Sequence, residues 1–360
     1  MQPTAERQSR KGDDKYAGRT KAVPFVRRIP GQPRFPPPAT EVVLADGSIA
    51  RTESVPCVLC GSAASDPIVA VQDWRYGLTD AVFRIVRCAS CGLCWLNPRP
   101  VSSDIGRFYP SPYYDRRLPE SGGPDRPAAH GLRPEAMTER AALCGEGERI
   151  LDVGCADGGF LEHMRGLGWD VQGVEMSPEA AASGRSQRGI PIIDKPLIQA
   201  GLPREHFDVV TFWASLEHVH DPVAYLAEAR RLLRSGGRVV ILIQNFASPT
   251  VRHLHWGLDP PRHLYHFTPR TMTVALRRAG FAGRIAFKAR TGVLDGSLHG
   301  QLAKIGRRIY RLNRRGGGSG GLGTAAGWSL ARFSRLAAPF SWLLTAMGRN
   351  GVMIVTARVS

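Results

Sequence analysis

Long apolar runs are missing from this chain. Nowhere in its 360 residues do 18 uncharged apolar positions follow one another, so no helix is expected to cross a bilayer. The N-terminus also lacks the apolar core of an export signal, which leads us to expect a cytoplasmic protein. Acidic residues are absent from 299–360, where ten Arg and Lys stand alone, and scarce in 1–35, where nine basic residues face three acids. The net charge of +17 therefore belongs to the two ends, and residues 36–298 carry about +1. A nearly neutral centre does not grip a polyanion along its length. The basic ends also lack the interleaved aromatics on which single-stranded bases stack, so nucleic acid is not the expected partner.

What is present points elsewhere. With 43% hydrophobic residues, the chain can fill one large core and a small second module. Residues 1–50 read as a disordered tail, basic and Pro-rich over 1–40, too polar to bury a core. The seven cysteines are 57, 60, 88, 91, 94, 144 and 155. Cys57-Val-Leu-Cys60-Gly61 and Cys88-Ala-Ser-Cys91-Gly92 are two knuckles, each a tight turn that presents two thiolates. Paired knuckles without an export signal predict metal ligation and not disulfides. Four soft sulfurs suit tetrahedral Zn²⁺ and leave no open position, so this Zn²⁺ is expected to be structural. Ile68 to Val71 and Val82 to Val86 read as a hairpin carrying the second knuckle, within a zinc ribbon over 55–114. Cys94, beside Trp95, reads as packing. The aromatics from Phe108 to Tyr114 either cover an acceptor or pack the ribbon. Residues 115–132 form a Pro/Gly-rich linker.

The chain is organised around Arg149 to Ser177. Ile150, Leu151 and Val153 end in Asp152 and a turn of small residues from Gly154 to Gly159; Phe160, Leu161, Met164 and Leu167 then recur at helical spacing. Val171 to Glu175 forms a second strand that ends in another acid. A turn of small residues lets backbone approach a ligand closely, and Glu175, about 20 residues on, is placed to accept hydrogen bonds from ribose hydroxyls. A dinucleotide site would want Gly-x-Gly-x-x-Gly after an apolar strand end. Here Asp152 would repel a pyrophosphate, yet it suits a cofactor that carries an ammonium and a sulfonium.

Downstream, Ser177-Pro178, Asp221-Pro222 and Thr268-Pro269 each pair a capping side chain with a proline suited to the first helical position. Phe207 to Trp213 and Gly237 to Ile243 are near-continuous apolar runs, as in central strands buried on both faces. Alternating strands and helices over 149–290 predict a doubly wound α/β fold. Such sheets bind ligands beyond the carboxyl ends of their strands. The loops after the fourth and fifth strands hold four of the ten histidines: His218 and His220, then His263 and His266. A hydroxyl acceptor needs its proton removed, and a histidine is a suitable base near neutral pH. His263 and His218 are the candidates, with Glu217 orienting an imidazole. His220, before a cap, reads as surface, and His266 as core filler beside Phe267.

Asp152-Val-Gly154-Cys-Ala156-Asp-Gly158 resembles motif I of class I S-adenosylmethionine (SAM) methyltransferases, with Ala156 where the family has its middle glycine. F-D-V-V-x-x-W-x-x-L-E-H-V-x-D-P, L-L-R-S-G-G and D-P-P-R-H-L-Y-H-F-T-P are similar to later motifs of zinc-ribbon SAM methyltransferases from bacterial glycan and secondary-metabolite clusters. The core also looks like ubiquinone-biosynthesis O-methyltransferases. The resemblance implies a Rossmann-like seven-stranded sheet over 133–360 and SAM as cofactor. It implies that Asp152, Gly154, Ala156 and Gly158 hold the methionine moiety, Glu175 the ribose and Met176 the adenine, while Trp213 faces the sulfonium. The expected activity is methylation of a small-molecule or lipid-linked acceptor, a sugar or related hydroxyl or carbon. Two rival readings remain open: an RNA methyltransferase, and an inactive zinc-bearing scaffold hinted at by Ala156.

The last strand should be Gly351 to Arg358, pairing with one near Ala282 to Arg290, with an insertion over 291–350. Within 300–346, a basic helix, a Gly-rich stretch and a second apolar helix fit either a peripheral membrane-surface segment or a lid.

Overall fold

The structure is a computed structural model that describes residues 39–73, 75–110, 113, 134–254, 257–289, 347 and 349–360. The N-terminal basic tail up to residue 38, most of the Ser111 to Tyr114 stretch, the 115–132 linker and nearly all of the 291–350 insertion lie outside the described residues. So do the membrane-surface and lid readings. Among the described residues no helix is long and apolar enough to cross a membrane.

The chain divides into two compact units. The first comprises Met1–Cys57, Gly61–Pro110 and Leu258–Leu264; the second comprises Val58–Cys60, Ser111–Gly257 and Tyr265–Ser360. Val58–Cys60 is the tip of the first knuckle, and the covalent chain ties it at both ends to the first unit.

In the first unit, β1 (Glu41–Val43) and β2 (Ile49–Glu53) form an antiparallel hairpin, and β2 also pairs with β6 (Arg99–Pro100). This corrects the reading of 41–50 as disordered tail. The signal was a short one: Asp46-Gly47 at a turn, with Gly47 at φ 84° and the Ser48 amide donating to Asp46, between strands that bury only Val42 and Ala50. β3 (Ser65–Gln72), β4 (Val82–Cys88) and β5 (Cys94–Leu96) pair antiparallel in that order, as the hairpin reading requires. Val71, Phe83, Ile85, Leu93 and Trp95 are buried between them, and Phe108 meets Phe83 edge-on at 6.3 Å. Cys94 is buried as packing, as expected.

The second unit is built on a seven-stranded sheet. Its strands are β7 (Arg149–Val153), β8 (Asp170–Val174), β9 (Ile192–Ile193), β10 (Phe207–Trp213), β11 (Leu233–Gln244), β12 (Ile285–Ala289) and β13 (Val352–Arg358). Their spatial order is β12-β13-β11-β10-β7-β8-β9, and only β13 runs against the direction of the other six. Every residue of β10 is buried, which explains its near-continuous apolar run. The helices are α1 (Pro134–Cys144), α2 (Gly159–Gly166), α3 (Pro178–Arg188), α4 (Pro222–Leu232), α5 (Pro249–Leu254) and α6 (Pro269–Arg278). The three expected caps form: Ser177 accepts from the Ala180 amide at 3.2 Å, Asp221 from Ala224 at 2.9 Å and Thr268 from Thr271 at 3.2 Å. Each fixes a helix start and is worth about 1 kcal/mol. From β7 the chain builds outward through β8 to β9, then returns to place β10 on the other side of β7. That reversal opens a crevice at the carboxyl ends of β7 and β10, where doubly wound sheets bind ligands.

Candidate cofactor site and cysteine centre

Two side-chain bonds cross the crevice floor. Thr211 of β10 donates its hydroxyl to Asp152 Oδ1 at 2.7 Å, and Ser215 donates to the Val153 carbonyl at 2.5 Å. Asp152 and Thr211 are buried. The Thr211 bond thus fixes one oxygen of this carboxyl at the strand end.

The turn after β7 uses left-handed backbone three times. Gly154 has φ 76°, and a Cβ there would come within 2.6 Å of the Ser215 Cβ, so nothing larger than glycine fits. Gly158 has φ 74° and backs onto Ile190, where a Cβ would stand 3.2 Å from the Ile190 Cβ. Ala156, where the motif has its middle glycine, keeps the glycine-like conformation at φ 51°. An L-residue in that region costs about 1–2 kcal/mol. Glu175 offsets it: its Oε2 accepts the Ala156 amide at 2.8 Å while its Oε1 accepts the Ser177 amide at 2.9 Å. One buried carboxylate thus ties the motif I turn to the start of α3. Met176, beside it, is 56% exposed, with the Tyr225 hydroxyl 3.9 Å from its sulfur.

Trp213 ends β10. Phe160 packs edge-to-face on it at 5.3 Å, and the Arg140 guanidinium of α1 lies 4.8 Å over its ring. Its indole Nε1–H is buried and has no hydrogen-bond partner among the described residues. An unmet buried donor costs about 1–3 kcal/mol, and a ligand acceptor in the crevice would remove that cost. These features pass the test for SAM: a left-handed turn of small residues with no room for a side chain at Gly154, acids at two strand ends, and an orphaned donor at the third. Asp152, Gly154, Ala156, Gly158, Glu175 and Trp213 are gathered at this end of the sheet. Sequence reasoning missed Thr211, Ser215 and Arg140. Thr211 was legible only as an odd polar residue inside an apolar strand.

Past β10, Ala214 takes φ 54° and Leu216–His218 makes one short 3₁₀ turn. Glu217 is buried there, and His218 is half-buried, with the Tyr113 ring edge-on at 6.5 Å. His220 is half-buried instead of fully on the surface, and its carbonyl accepts the Tyr265 hydroxyl at 3.0 Å. His266 is in the core as expected, though its ring neighbour is Phe246 at 5.4 Å. Burial alone pushes its pKa down to about 3, so its imidazole is neutral. Burial likewise pushes the Cys144 thiol up to about 12, with the Asp152 charge adding to it, which rules that thiol out as a nucleophile.

His263 is 8% exposed and lies in Leu258–Leu264, which belongs to the first unit. Its amide donates to the Asp259 carbonyl at 2.9 Å. Next to it, Arg262 is wholly buried and donates to Asp73 and Asp259, each at 2.7 Å.

In the cysteine centre, the Cys57 amide donates to the Ser62 carbonyl and the Gly61 amide to the Cys57 carbonyl, while Gly92 closes the second knuckle on Cys88. The glycines adopt φ 73° and 79° to do so. One sulfur from each of Cys57, Cys60, Cys88 and Cys91 lies within 4.8 Å of all the others, and Cys57 and Cys91 sulfurs are 3.4 Å apart. A tetrahedron with Zn–S of about 2.3 Å has S···S edges of about 3.8 Å, so the donor set fits Zn²⁺. The Cys91 amide also points at the Cys88 sulfur at 3.5 Å.

Residues 128–284 match the "Methyltransferase domain" family model. A ubiquinone biosynthesis O-methyltransferase of Xanthomonas euvesicatoria is 30% identical over 179 residues, covering 45% of this chain and 74% of the relative. One from Cereibacter sphaeroides is 40% identical over 108 residues, covering 28% of this chain and 42% of the relative. Among solved structures, a SAM-dependent methyltransferase of Mesorhizobium loti aligns with TM-score 0.41 and 20% identity, over 62% of this chain and 97% of that one. A Haemonchus contortus phosphoethanolamine N-methyltransferase 2, solved with S-adenosylhomocysteine, aligns with TM-score 0.45 and 18% identity, over 62% of this chain and 52% of that one. The chain belongs to the class I SAM-dependent methyltransferases. Within that class it is a relative of the ubiquinone-biosynthesis O-methyltransferases, and it carries a four-cysteine cluster.

Proposed function

We propose that this SAM-dependent methyltransferase methylates a hydroxyl of a small-molecule or lipid-linked acceptor, and that its cysteine centre holds a structural Zn²⁺. The observation that carries the cofactor side is Glu175, fixed by two backbone amides at the tip of β8. A carboxylate held that rigidly is ready to take ribose hydroxyls without reorganising. Relatives named for O-methylation favour a hydroxyl over the carbon alternative; a sugar hydroxyl stays within the proposal. Zn²⁺ is supported by four cysteine sulfurs within 4.8 Å of one another and would leave no coordination position for substrate.

Bound SAM supplies an electrophilic methyl on a sulfonium, displaced in line, so the protein's part is positioning and proton removal. Asp152 would offer negative charge to the ammonium of the methionine moiety. Gly154, Ala156 and Gly158 would present backbone to it, Trp213 would face the sulfonium, and Met176, exposed, would hold the adenine. A ring nitrogen of His263 or of His218 takes the acceptor's proton, and Glu217 orients the imidazole. Loss of the true base should cost about 10²–10⁴ in rate and leave SAM affinity unchanged.

The test supplies SAM and a panel of catechol, phenol and sugar acceptors and follows S-adenosylhomocysteine release against pH. Activity should rise through the histidine range, and either His263→Gln or His218→Gln should remove that limb. If both variants keep near wild-type turnover, base catalysis by these loops is wrong. Turnover on RNA alone would favour the rival enzyme. SAM that fails to bind would favour the scaffold.

A further inference from the structure

The segment that carries His263 is part of the cysteine-bearing unit by its contacts, although its sequence lies deep in the methyltransferase domain. One guanidinium holds it there. Arg262 is 0% exposed; its Nη2 donates to Asp73 Oδ1 and Asp259 Oδ1, both at 2.7 Å, and to the Pro260 carbonyl at 3.3 Å. Its Nη1 donates to the Phe108 carbonyl at 3.0 Å. Below it lies the Tyr76 ring, 4.8 Å from the guanidinium carbon. Arg75 reaches the other oxygen of Asp259 at 3.1 Å. Two positive and two negative side chains therefore meet here, and all but the half-buried Arg75 are buried. Asp73 is itself fixed, because it accepts the amides of Tyr76 and Leu78 in its own turn. The Leu264 carbonyl completes the attachment by accepting the Leu96 amide at 2.9 Å.

Buried ion pairs contribute little net stability against apolar packing, but they demand one geometry, because a misplaced member is a buried unpaired charge. Such a cluster is suited to registering a chain segment. His263 follows Arg262 directly, and its amide is bound to the Asp259 carbonyl, so its backbone position follows from where Arg262 and Asp259 are pinned. We propose that Arg262 is a positioning residue for His263: held by Asp73 and Asp259, it fixes the segment from which this histidine acts. The inference rests on reading His263 as an acceptor-side residue.

The test uses the full chain, without acceptor. Arg262→Lys keeps the charge but cannot fork between two carboxylates, and Asp73→Asn removes one of them. Amide exchange at 258–264 should rise about tenfold or more in both variants, with no change in β7, β10 and β11. The ring-nitrogen resonances of His263, assigned by their loss in His263→Gln, should shift in both, and Arg262→Met should shift them further than Arg262→Lys. SAM affinity by calorimetry should stay within about twofold, because the cofactor turn belongs to the other unit. Exchange that rises while the His263 resonances stay in place would make the cluster merely structural and overturn the proposal. Unchanged exchange would overturn it too. If either variant fails to fold, the other decides. None of these readouts depends on whether His263 takes a proton, so His263→Gln turnover can refute the base while the positioning stands.

Discussion

Replacing Glu175 separates the structural bonds of one carboxylate from its proposed binding role. In the free protein it accepts the amides of Ala156 and Ser177, and in the complex it is proposed to take ribose hydroxyls. Glu175→Ala leaves both amides without their acceptor. Each buried amide so orphaned costs about 1–3 kcal/mol, reduced where water can enter the space left by the side chain. It also withdraws the support for Ala156 at φ 51°. The folding free energy should therefore fall by about 2–4 kcal/mol. SAM affinity should fall by about 1.5–3 kcal/mol, the range for hydrogen bonds to a charged group, which is about 10- to 150-fold in Kd. Glu175→Gln keeps one acceptor oxygen but turns an NH₂ toward the second amide. It should lie between wild type and alanine on both scales. Urea unfolding gives the first quantity and calorimetry the second. Wild-type SAM affinity in Glu175→Ala would mean that the ribose is held elsewhere. Wild-type stability would mean that the two amide bonds do not hold the turn.

The other predictions concern the two units separately. Purified protein should carry one Zn²⁺ per chain, and Cys88→Ser should lose it while SAM binding survives; elemental analysis that finds under half an equivalent, even after zinc is supplied, would refute the centre. His266 predicts an acid slope. Its folded pKa of about 3 lies below the unfolded value of about 6.5, so the unfolded state binds the extra proton between those pH values and stability rises with pH across that window. Each unit of pH lowered from about 6 toward about 4 should cost about 1.4 kcal/mol from this residue. His266→Phe should show a shallower slope by that amount in urea midpoints, and an identical slope would mean that the ring is not buried neutral.

Much of the second unit could be read in the sequence because its signals are local. β10 and the second half of β11 announce themselves as near-continuous apolar runs, and Ser177, Asp221 and Thr268 mark helix starts within four residues. The acids after β7 and β8 are likewise visible by position. Illegible were the partnerships across long separations. Asp152 meets Thr211 across 59 positions, and Arg262 meets Asp73 across 189, so no periodicity could show either. For the same reason Leu258–Leu264 was expected to belong wholly to the methyltransferase domain, whereas its buried charges tie it to the first unit. The small hairpin at 41–53 was lost because it buries too little to stand out beside the basic tail. Ala156 was visible as a departure from the motif. Only the structure shows that it keeps the glycine backbone conformation, which argues against reading the substitution as loss of the site.

The central claim is that the turn between β7 and α2 is built for SAM and not for a dinucleotide. Calorimetric titration of the purified full chain with SAM, and separately with NADH, tests it most directly. The account predicts one SAM bound per chain, weakened in Glu175→Ala, and no heat from NADH. Binding of NADH without binding of SAM would contradict it.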